Sequence, residues 1–471
     1  MAIDVHAIDG KFSAPDDRFD VVVVGAGEAG TAAAIEAAQD GASVLLVDEN
    51  PVPGALIGTD VPLFYGGRMS AAVQQPGRMI EQLLASNPAL EAALEAGVDV
   101  RLGTAAWGLY VNGPAMRALP EPLLGIADAE RATMIGFGRL VLATGARDLV
   151  LGFAGWDRPG VMGAQGFAAL ISRYDAFAGR RALIVGSGAL GLETALLALS
   201  RGIEVAGIVE VADAVRGPAA LADRVRDAGV PVFLGHSIAV AQGGIEGVEH
   251  VTLAAPDTQA RVELACDTVI LAIGAIPSTE LLDAAGAKPG GTIALVGDCA
   301  TVARPDPAYL QAWSSALGRH APLETIVCLC EEVTRADLIG VQPPRYLDRP
   351  ERMTQRSLST LLDDGPAHPD QIKRLTRAGM GQCQGRRCRD QVACLLAEQQ
   401  GVPLDRVPVA SVRTPVRPVP LAILADWRES EAMAAGWDVW FGIPTQWTPY
   451  AIIGTPEEAQ QVAGLGGNMH V

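Results

Sequence analysis

A glycine turn between two predicted strands occurs twice in this chain, and this repetition limits its fold more than any other feature. In the first copy, a run of valines leads into Gly25, Gly27 and Gly30, and a second strand is predicted at residues 43–47. Gly25 permits the tight turn, Gly27 lets a pyrophosphate approach the backbone, and Gly30 lets a helix pack on the strand. Asp48 follows, where a carboxylate can accept a hydrogen bond from a ribose. This predicts a βαβ dinucleotide-binding unit rather than an ordinary glycine turn.

The pattern returns at Gly186, Gly188 and Gly191, and a strand predicted at residues 205–209 ends at Glu210. A carboxylate there favours a free ribose hydroxyl and repels a 2′-phosphate, so NAD or another adenine nucleotide suits this second site better than NADP. Its use in catalysis stays open at this point, because a fold can persist without its ligand.

Length, charge and hydropathy exclude several classes of protein. A chain of 471 residues is too long for one core and predicts two to four domains. The formal net charge of −18, without a basic run, argues against nucleic acid as a partner. Residues 1–17 lack the order of a signal peptide, and the longest apolar stretch contains Glu28 and Glu36. We therefore expect a cytoplasmic protein without a transmembrane segment.

Four of the seven cysteines form two close pairs late in the chain: one residue separates Cys328 from Cys330, and four separate Cys383 from Cys388. Four thiolates suit a [2Fe–2S] cluster or a zinc ion, and inert cysteines are a third reading. Structural zinc sites usually have two to four residues inside each pair, so the one-residue gap favours iron. The sequence therefore predicts an iron–sulfur centre held by these four residues.

The second pair opens a helix predicted at residues 389–400, whose N-terminal amides would favour an anionic cluster. Arg386, Arg387 and Arg389 add positive charge beside it. These charges would raise the reduction potential of the cluster, although three arginines can equally mark the solvated start of a helix.

Two later motifs, Ala-Thr144-Gly145 and Gly297-Asp298, complete an order that resembles the flavoprotein disulfide reductase superfamily. By position, the resemblance implies that the first motif passes near the flavin nucleotide and that Asp298 holds the FAD ribitol. The implied FAD site consists of Gly25, Gly27, Glu28, Ala29, Gly30, Asp48, Glu49, Thr144, Gly145, Gly297 and Asp298. One departure concerns the chemistry: those reductases carry a close redox cysteine pair beside the flavin, whereas Cys266 and Cys299 are isolated. Both, like Cys394, are expected to be buried packing residues, and disulfide exchange is not expected.

A second resemblance lies around the cysteine pairs, in Cys328-Leu-Cys-Glu-Glu-Val-Thr334 and Gly-Met-Gly-Gln-Cys383-Gln-Gly-Arg-Arg-Cys388. These segments look like the [2Fe–2S] domain of bacterioferritin-associated ferredoxins. The spacer is longer here, and residues 342–369 are predicted to be an inserted surface loop. The implied domains are an extension (1–17), a discontinuous FAD domain (18–150 and 265–320), a second dinucleotide domain (151–264), the [2Fe–2S] domain (321–410) and a tail (411–471).

The tail begins with prolines at residues 413–420 that predict a semi-rigid linker. Beyond it lie four of the seven tryptophans: Trp427, Trp437, Trp440 and Trp447. This aromatic density favours a subunit interface over a clamp on the chain's own domains.

Over nearly its whole length the chain resembles the α (A) subunit of heteromeric amine dehydrogenases, which include opine (octopine and nopaline) oxidases, D-hydroxyproline dehydrogenase and hydrogen cyanide synthase. The resemblance implies an α/β fold of two nested Rossmann-like domains, followed by a small, mainly helical [2Fe–2S] domain and an aromatic-rich tail. In that family a D-amino-acid-oxidase-like flavoprotein β subunit oxidises the amine and the α subunit passes electrons on. A small third subunit, and FMN at a subunit interface, are further features the resemblance implies.

The residues agree with such a relay, because the histidines are scattered and none is in a recognisable catalytic arrangement. No catalytic residue is assigned. A self-sufficient NADH:acceptor oxidoreductase, with hydride entering at the Gly186 turn, is the second hypothesis, and a nucleotide-sensing scaffold without redox-active flavin is the third. One departure from the family, Pro53-Gly-Ala-Leu56 in place of a Gly-Gly-Gln-like turn, leaves open whether FAD or another adenine nucleotide fills the first site.

Overall fold

The computed structural model describes residues 14–51, 76–113, 119–255, 260–343 and 355–425, with isolated positions at 431, 455–457 and 460. The turn at residues 53–56 and the four tail tryptophans lie outside the described residues. The strands are β1 (Asp17–Val24), β2 (Val44–Asp48), β3 (Asp99–Leu102), β4 (Ala105–Tyr110), β5 (Leu123–Ala127), β6 (Ala132–Leu142), β7 (Ala146–Asp148), β8 (Val161–Gly163), β9 (Arg181–Val185), β10 (Glu204–Glu210), β11 (Val232–Leu234), β12 (Ser237–Gln242), β13 (His250–Ala254), β14 (Arg261–Ala265), β15 (Thr268–Leu271), β16 (Ala275–Pro277), β17 (Ile293–Leu295), β18 (Ile326–Cys328) and β19 (Val333–Thr334).

The helices of the same part of the chain are α1 (Glu28–Gln39), α2 (Pro76–Ser86), α3 (Ala89–Glu95), α4 (Ala164–Ser172), α5 (Ala189–Ser200), α6 (Ala219–Asp227), α7 (Glu280–Ala285), α8 (Asp298–Thr301), α9 (Pro307–Gly318), α10 (Arg335–Ile339), α11 (Leu358–Asp364), α12 (Pro369–Thr376), α13 (Arg389–Gln400) and α14 (Leu421–Ala425), with a 3₁₀ turn at Leu404–Arg406. None of them is long and apolar enough to cross a lipid bilayer.

The first glycine turn belongs to a sheet with the strand order β3-β2-β1-β6-β5-β4, in which β17 also pairs with β6. Strands β3, β2, β1, β6 and β17 are parallel, β5 runs antiparallel to β6, and β4 runs antiparallel to β5. The valines of β1 and the leucines of β2 are buried, as parallel strands covered on both faces require. The carboxyl ends of β1, β2, β6 and β17 therefore meet at one edge of the sheet.

The second glycine turn belongs to a parallel sheet of order β11-β10-β9-β15-β8, accompanied by the antiparallel sheet β12-β13-β14. The predicted α/β class with nested dinucleotide folds is thus confirmed. The chain crosses between the two folds through β7 and β16, which pair with each other. The chain returns to the first fold later than the expected residue 265, because the fully buried β15 still belongs to the second sheet.

The C-terminal unit, or thiol unit, is formed by the described residues between 321 and 410 and packs on both folds. Helix α13 has the predicted bounds, whereas the predicted surface loop contains α11, whose Leu358 and Leu361 are buried. The core of this unit is continuous with that of the second fold. The expected linker is instead docked on the first fold: Val416 is 2% exposed, and its backbone N–H donates to the carbonyl of Trp107 on β4 (2.8 Å). The proline pattern could not reveal this contact with a strand three hundred residues away.

Candidate functional site

The first glycine turn has the geometry that its sequence predicted. Gly25 adopts a φ of +107°, and a side chain there would overlap the carbonyl of Ala143. A side chain on Gly30 would overlap the carbonyl of Gly25. Gly27 differs, because a Cβ there would have nothing within 4 Å and it stands at the N-terminus of α1. The turn therefore leaves space beside its backbone amides, and this is the position that a pyrophosphate would take.

Asp48 lies directly beneath this turn. One of its carboxylate oxygens accepts from the backbone N–H of Ala26 (2.6 Å), and the other accepts from the backbone N–H and side-chain amide of Asn50 (both 2.8 Å). Glu49 points elsewhere and forms an ion pair with Arg417 of the docked segment. Of these two predicted residues, only Asp48 thus stands at the turn itself.

The remaining residues of the predicted first site gather at the same sheet edge. Thr144 donates from its hydroxyl to the carbonyl of Ser278 (2.6 Å), which ties the end of β6 to the returning chain. A Cβ on Gly297 would be 2.9 Å from the Cβ of Ala29, so this glycine lies against the start of α1. Asp298 follows it with an exposed side chain. Together with the open turn, this arrangement fits a dinucleotide with its phosphates at Gly27.

The second turn repeats the backbone of the first. Gly186 has a φ of +108°, a side chain on Gly191 would overlap its carbonyl, and Gly188 again faces open space. Glu210 ends β10 as predicted and accepts from the backbone N–H of Ser187 (2.9 Å). It is, however, fully buried, in contrast to the half-buried Asp48.

The four predicted cluster cysteines are brought together in the C-terminal unit. Their thiols form two neighbouring pairs, Cys328 with Cys388 and Cys330 with Cys383. Three of the four are buried and Cys330 is half-buried. Gly381 lies so close to Cys330 that a side chain there would overlap the cysteine Cβ. The backbone therefore wraps the sulfur atoms closely.

In each pair one thiol donates a hydrogen bond to the other. Donation from Cys330 lowers the pKa of Cys383, and the backbone N–H groups of Arg387 and Gly385 and the charge of Arg387 act in the same direction, against the effect of burial. Donation from Cys388 likewise lowers the pKa of Cys328. The same hydrogen bonds and burial raise the pKa of the two donors. The surroundings thus favour negative charge on one sulfur of each pair.

Among the described residues, no group of three or more histidine, cysteine or carboxylate side chains converges on a point that would hold one metal ion. A single tetrahedral zinc ion needs all of its ligands around one point. A [2Fe–2S] cluster has two metal ions and four thiolates, so two neighbouring pairs are a donor set that it can use. The sulfur chemistry and the close backbone fit such a cluster.

A buried ionic network joins the thiol unit to the first fold. Arg147 donates from Nε to Glu280 (2.9 Å) and from Nη1 to the carbonyl of Arg386 (2.6 Å), and Arg389 also donates to Glu280 (3.0 Å). Burial alone would raise the pKa of Glu280, but the charges of Arg386, Arg147 and Arg389 outweigh it and lower that pKa to about 2. Because Arg147 follows Gly145 by two residues and Arg386 precedes Cys388 by two, the network links the predicted flavin site to the thiols.

This network decides between the two readings of the arginines beside Cys388. Arg386, Arg387 and Arg389 are all buried, so the reading as a solvated helix start is wrong. The sequence did not reveal Arg147, Glu280 or Arg417, because each meets its partner across more than a hundred residues. A charged residue two positions after a predicted cofactor motif was the available signal for Arg147.

The other three cysteines lie apart from the thiol pairs. Cys266, Cys299 and Cys394 are buried and form no disulfide. Cys299 donates to the carbonyl of Leu142 (3.0 Å), and burial raises the pKa of Cys394 to about 12. These are properties of packing residues, as the sequence predicted.

Comparison with known proteins gives two family matches. The pyridine nucleotide-disulphide oxidoreductase family matches residues 19–305, which is more than half of the chain. The sarcosine oxidase A3 domain matches residues 342–427. This second match includes Cys383 and Cys388 and begins after Cys328 and Cys330.

Individual proteins are similar over most of the chain. The A subunit of opine oxidase from Agrobacterium tumefaciens (strain Ach5) is 28% identical, over 87% of this chain and 92% of that protein. The HcnB subunit of hydrogen cyanide synthase from Pseudomonas aeruginosa is 28% identical, over 78% and 90%. Among solved structures, L-proline dehydrogenase from P. horikoshii has a TM-score of 0.55 at 19% identity, covering 88% of this chain and 81% of its own, which shows a shared fold.

Proposed function

Because this chain belongs to the pyridine nucleotide-disulphide oxidoreductase family and is an FAD-dependent oxidoreductase, we propose that it is the electron-transfer subunit of a heteromeric amine dehydrogenase. The observation that carries the proposal is the buried network at Arg147, which joins the loop before Cys388 to the segment after Gly145, a residue of the predicted flavin site. Similarity to the opine oxidase relative over most of both chains supports the same function.

In this proposal, FAD lies at the first turn. Gly25, Gly27 and Gly30 give its phosphates access to backbone amides, Asp48 accepts from its ribose, and Asp298 binds its ribitol. Glu28, Ala29, Thr144, Gly145 and Gly297 complete the site, whereas Glu49 is held away from the turn by its ion pair with Arg417. Cys328, Cys330, Cys383 and Cys388 hold a [2Fe–2S] cluster in a ferredoxin-like domain. When bound, FAD supplies a carrier that takes two electrons at once and releases them singly, and the cluster supplies a one-electron acceptor.

The chain's own residues hold these two sites in a fixed relation. The Arg147 and Arg389 guanidiniums neutralise Glu280 and keep the thiol loop against β7, and the packed C-terminal unit keeps water from three of the four sulfur atoms. We place the oxidation of a secondary amine, such as an opine or D-hydroxyproline, on a D-amino-acid-oxidase-like flavoprotein partner. FMN at the interface and a small third subunit belong to the same proposal. Free cysteines suit a reducing compartment such as the cytoplasm.

The source of electrons tests the proposal. The chain is prepared anaerobically, alone and with a co-expressed flavoprotein partner, and its visible spectrum is followed after addition of NADH or of candidate opines and D-hydroxyproline. We expect bleaching of the flavin by an amine only when the partner is present. Rapid bleaching by NADH with the chain alone would instead support the self-sufficient NADH:acceptor oxidoreductase.

The metal content tests the thiol assignment separately. The Cys383→Ser variant should lose iron and inorganic sulfide while keeping FAD, whereas Cys266→Ala, a buried cysteine outside the set, should keep all three. Zinc in the wild-type chain, or iron that is unchanged in Cys383→Ser, would refute the cluster.

A further inference from the structure

Each of the two dinucleotide folds has a carboxylate at the end of its second strand, Asp48 in the first fold and Glu210 in the second. The surroundings of these two carboxylates differ. In the first fold, Asp48 is half-buried and accepts three hydrogen bonds, all from Ala26 and Asn50 close to it in sequence or at the turn. A carboxylate has about four acceptor positions, so one position on Asp48 stays available to a ribose hydroxyl.

In the second fold, the corresponding acid is buried beneath protein donors. Glu210 is fully buried and accepts from the backbone N–H and the hydroxyl of Ser187 (2.9 and 2.6 Å) and from the backbone N–H of Ala212 (2.9 Å). The fourth donor is the hydroxyl of Tyr309, 2.9 Å away. Oε2 of Glu210 thus accepts three of these bonds, from both donors of Ser187 and from Tyr309, while Oε1 accepts only from Ala212. The oxygen that faces the glycine turn is therefore crowded, whereas the corresponding oxygen of Asp48 accepts only from Ala26.

Tyr309 comes from outside the second fold. It lies on α9, ninety-nine residues after Glu210, and the guanidinium of Arg216 stacks over its ring at 4.9 Å from the centroid. Burial raises the pKa of Tyr309, so its hydroxyl stays protonated and able to donate. Tyr309 is therefore held at its hydroxyl by Glu210 and on one face of its ring by Arg216.

The loop that carries Arg216 closes over the same turn. Its backbone N–H donates to the hydroxyl of Ser187 (3.0 Å), and the N–H of Gly217 donates to the carbonyl of Ser187 (2.8 Å). Gly188, in contrast, has open space at its Cα. The space beside Gly188, where phosphates would bind, is thus open, whereas the carboxylate that would bind a ribose is covered by protein.

We propose that Tyr309 closes the second dinucleotide fold to NADH, because its hydroxyl lies on Oε2 of the buried Glu210, the oxygen at the turn that a ribose hydroxyl would have to reach. Tyr309 is thereby a specificity-determining residue that keeps hydride from a nicotinamide cofactor out of this subunit. The inference concerns the second fold alone, and it does not depend on the cluster or on the partner subunit.

The test measures NADH binding to the full chain by isothermal titration calorimetry. Tyr309→Phe removes the competing hydroxyl and keeps the ring, whereas Tyr309→Ala also removes the ring. Removing this competing donor corresponds to about a tenfold gain in affinity for Tyr309→Phe, and Tyr309→Ala, which also uncovers the carboxylate, should bind still more tightly. Tyr110→Phe, at a half-buried tyrosine of β4 in the first sheet, is the matched control and should bind NADH as the wild type does.

Retained FAD and a single cooperative thermal transition verify that each variant is folded. Tighter NADH binding by both Tyr309 variants, with Tyr110→Phe at the wild-type value, is the expected result. Equal affinity of the wild type and both Tyr309 variants, whether strong or immeasurably weak, would overturn the inference. This outcome is independent of whether an amine bleaches the flavin, so it leaves the test of the proposed function untouched.

Discussion

At the scale of single residues, Glu280 shows how a buried charge can hold two units together. Its carboxylate is almost completely buried, and two guanidiniums donate to it, Arg147 from the first fold and Arg389 from the thiol unit. Removing one partner of such a group leaves the others buried without compensation, which is strongly destabilising.

We therefore predict that Glu280→Gln lowers the free energy of unfolding at pH 7 by about 3 kcal/mol, the value of a pKa lowered from 4.5 to about 2. Since the folded pKa is depressed, this stabilisation is complete above pH 4.5 and is lost as the pH falls toward 2. Urea denaturation at pH 7 and pH 4 should show a difference between variant and wild type that shrinks at the lower pH. A constant difference would contradict the assignment, and Glu263→Gln, at an exposed site on β14, should show none.

Gly27 gives a second prediction at this scale. A Cβ at this position meets no protein atom within 4 Å, but it would stand where a pyrophosphate approaches the backbone. Gly27→Ala should therefore leave the melting temperature of the FAD-free chain unchanged and weaken FAD binding by about tenfold or more. Gly77→Ala, which also meets no atom but lies on α2, should bind FAD normally. Unaltered FAD affinity in Gly27→Ala would place the phosphates elsewhere.

At the scale of elements, local patterns predicted the parts of the fold that local forces determine. The glycine turns follow from sterics within a few residues, and α13 has its predicted bounds because Gly401, in a left-handed conformation, ends it. The docking of residues 413–420 and the hydrogen bond from Tyr309 to Glu210 depend on contacts between distant segments. The proline-rich segment has no hydrophobic period of its own, so the burial of Val416 could not be predicted.

The docked segment can be tested through Val416. Its side chain packs into the core of the first sheet, so Val416→Ala should lower the free energy of unfolding by about 2 kcal/mol. Val419→Ala, at a half-buried position of the same segment, should cost clearly less. Equal effects of the two substitutions in thermal denaturation would mean that the segment is a linker after all.

At the scale of the whole molecule, the second fold and the thiol unit share one hydrophobic core. Polar contacts reinforce it: the indole N–H of Trp156 donates to the carbonyl of Ile326 (2.7 Å), and the side chain of Gln391 accepts from the backbone of Gly152 (2.9 Å). A shared core makes the unfolding of one part expose the apolar surface of the other.

These two parts should therefore unfold together. Calorimetry of the intact chain, combined with limited proteolysis during heating, should show that cleavage in the second fold and cleavage near α13 begin at the same temperature. Early release of the thiol unit, with the second fold still protected, would contradict the shared core.

The central claim is that electrons from an amine pass through this chain to an iron–sulfur centre, and low-temperature electron paramagnetic resonance tests it most directly. The complex with its flavoprotein partner is frozen after anaerobic addition of the amine that bleaches the flavin. The account predicts the signal of a reduced [2Fe–2S] cluster in the wild type and its loss in Cys383→Ser. Flavin bleaching without that signal in the wild type would contradict the account.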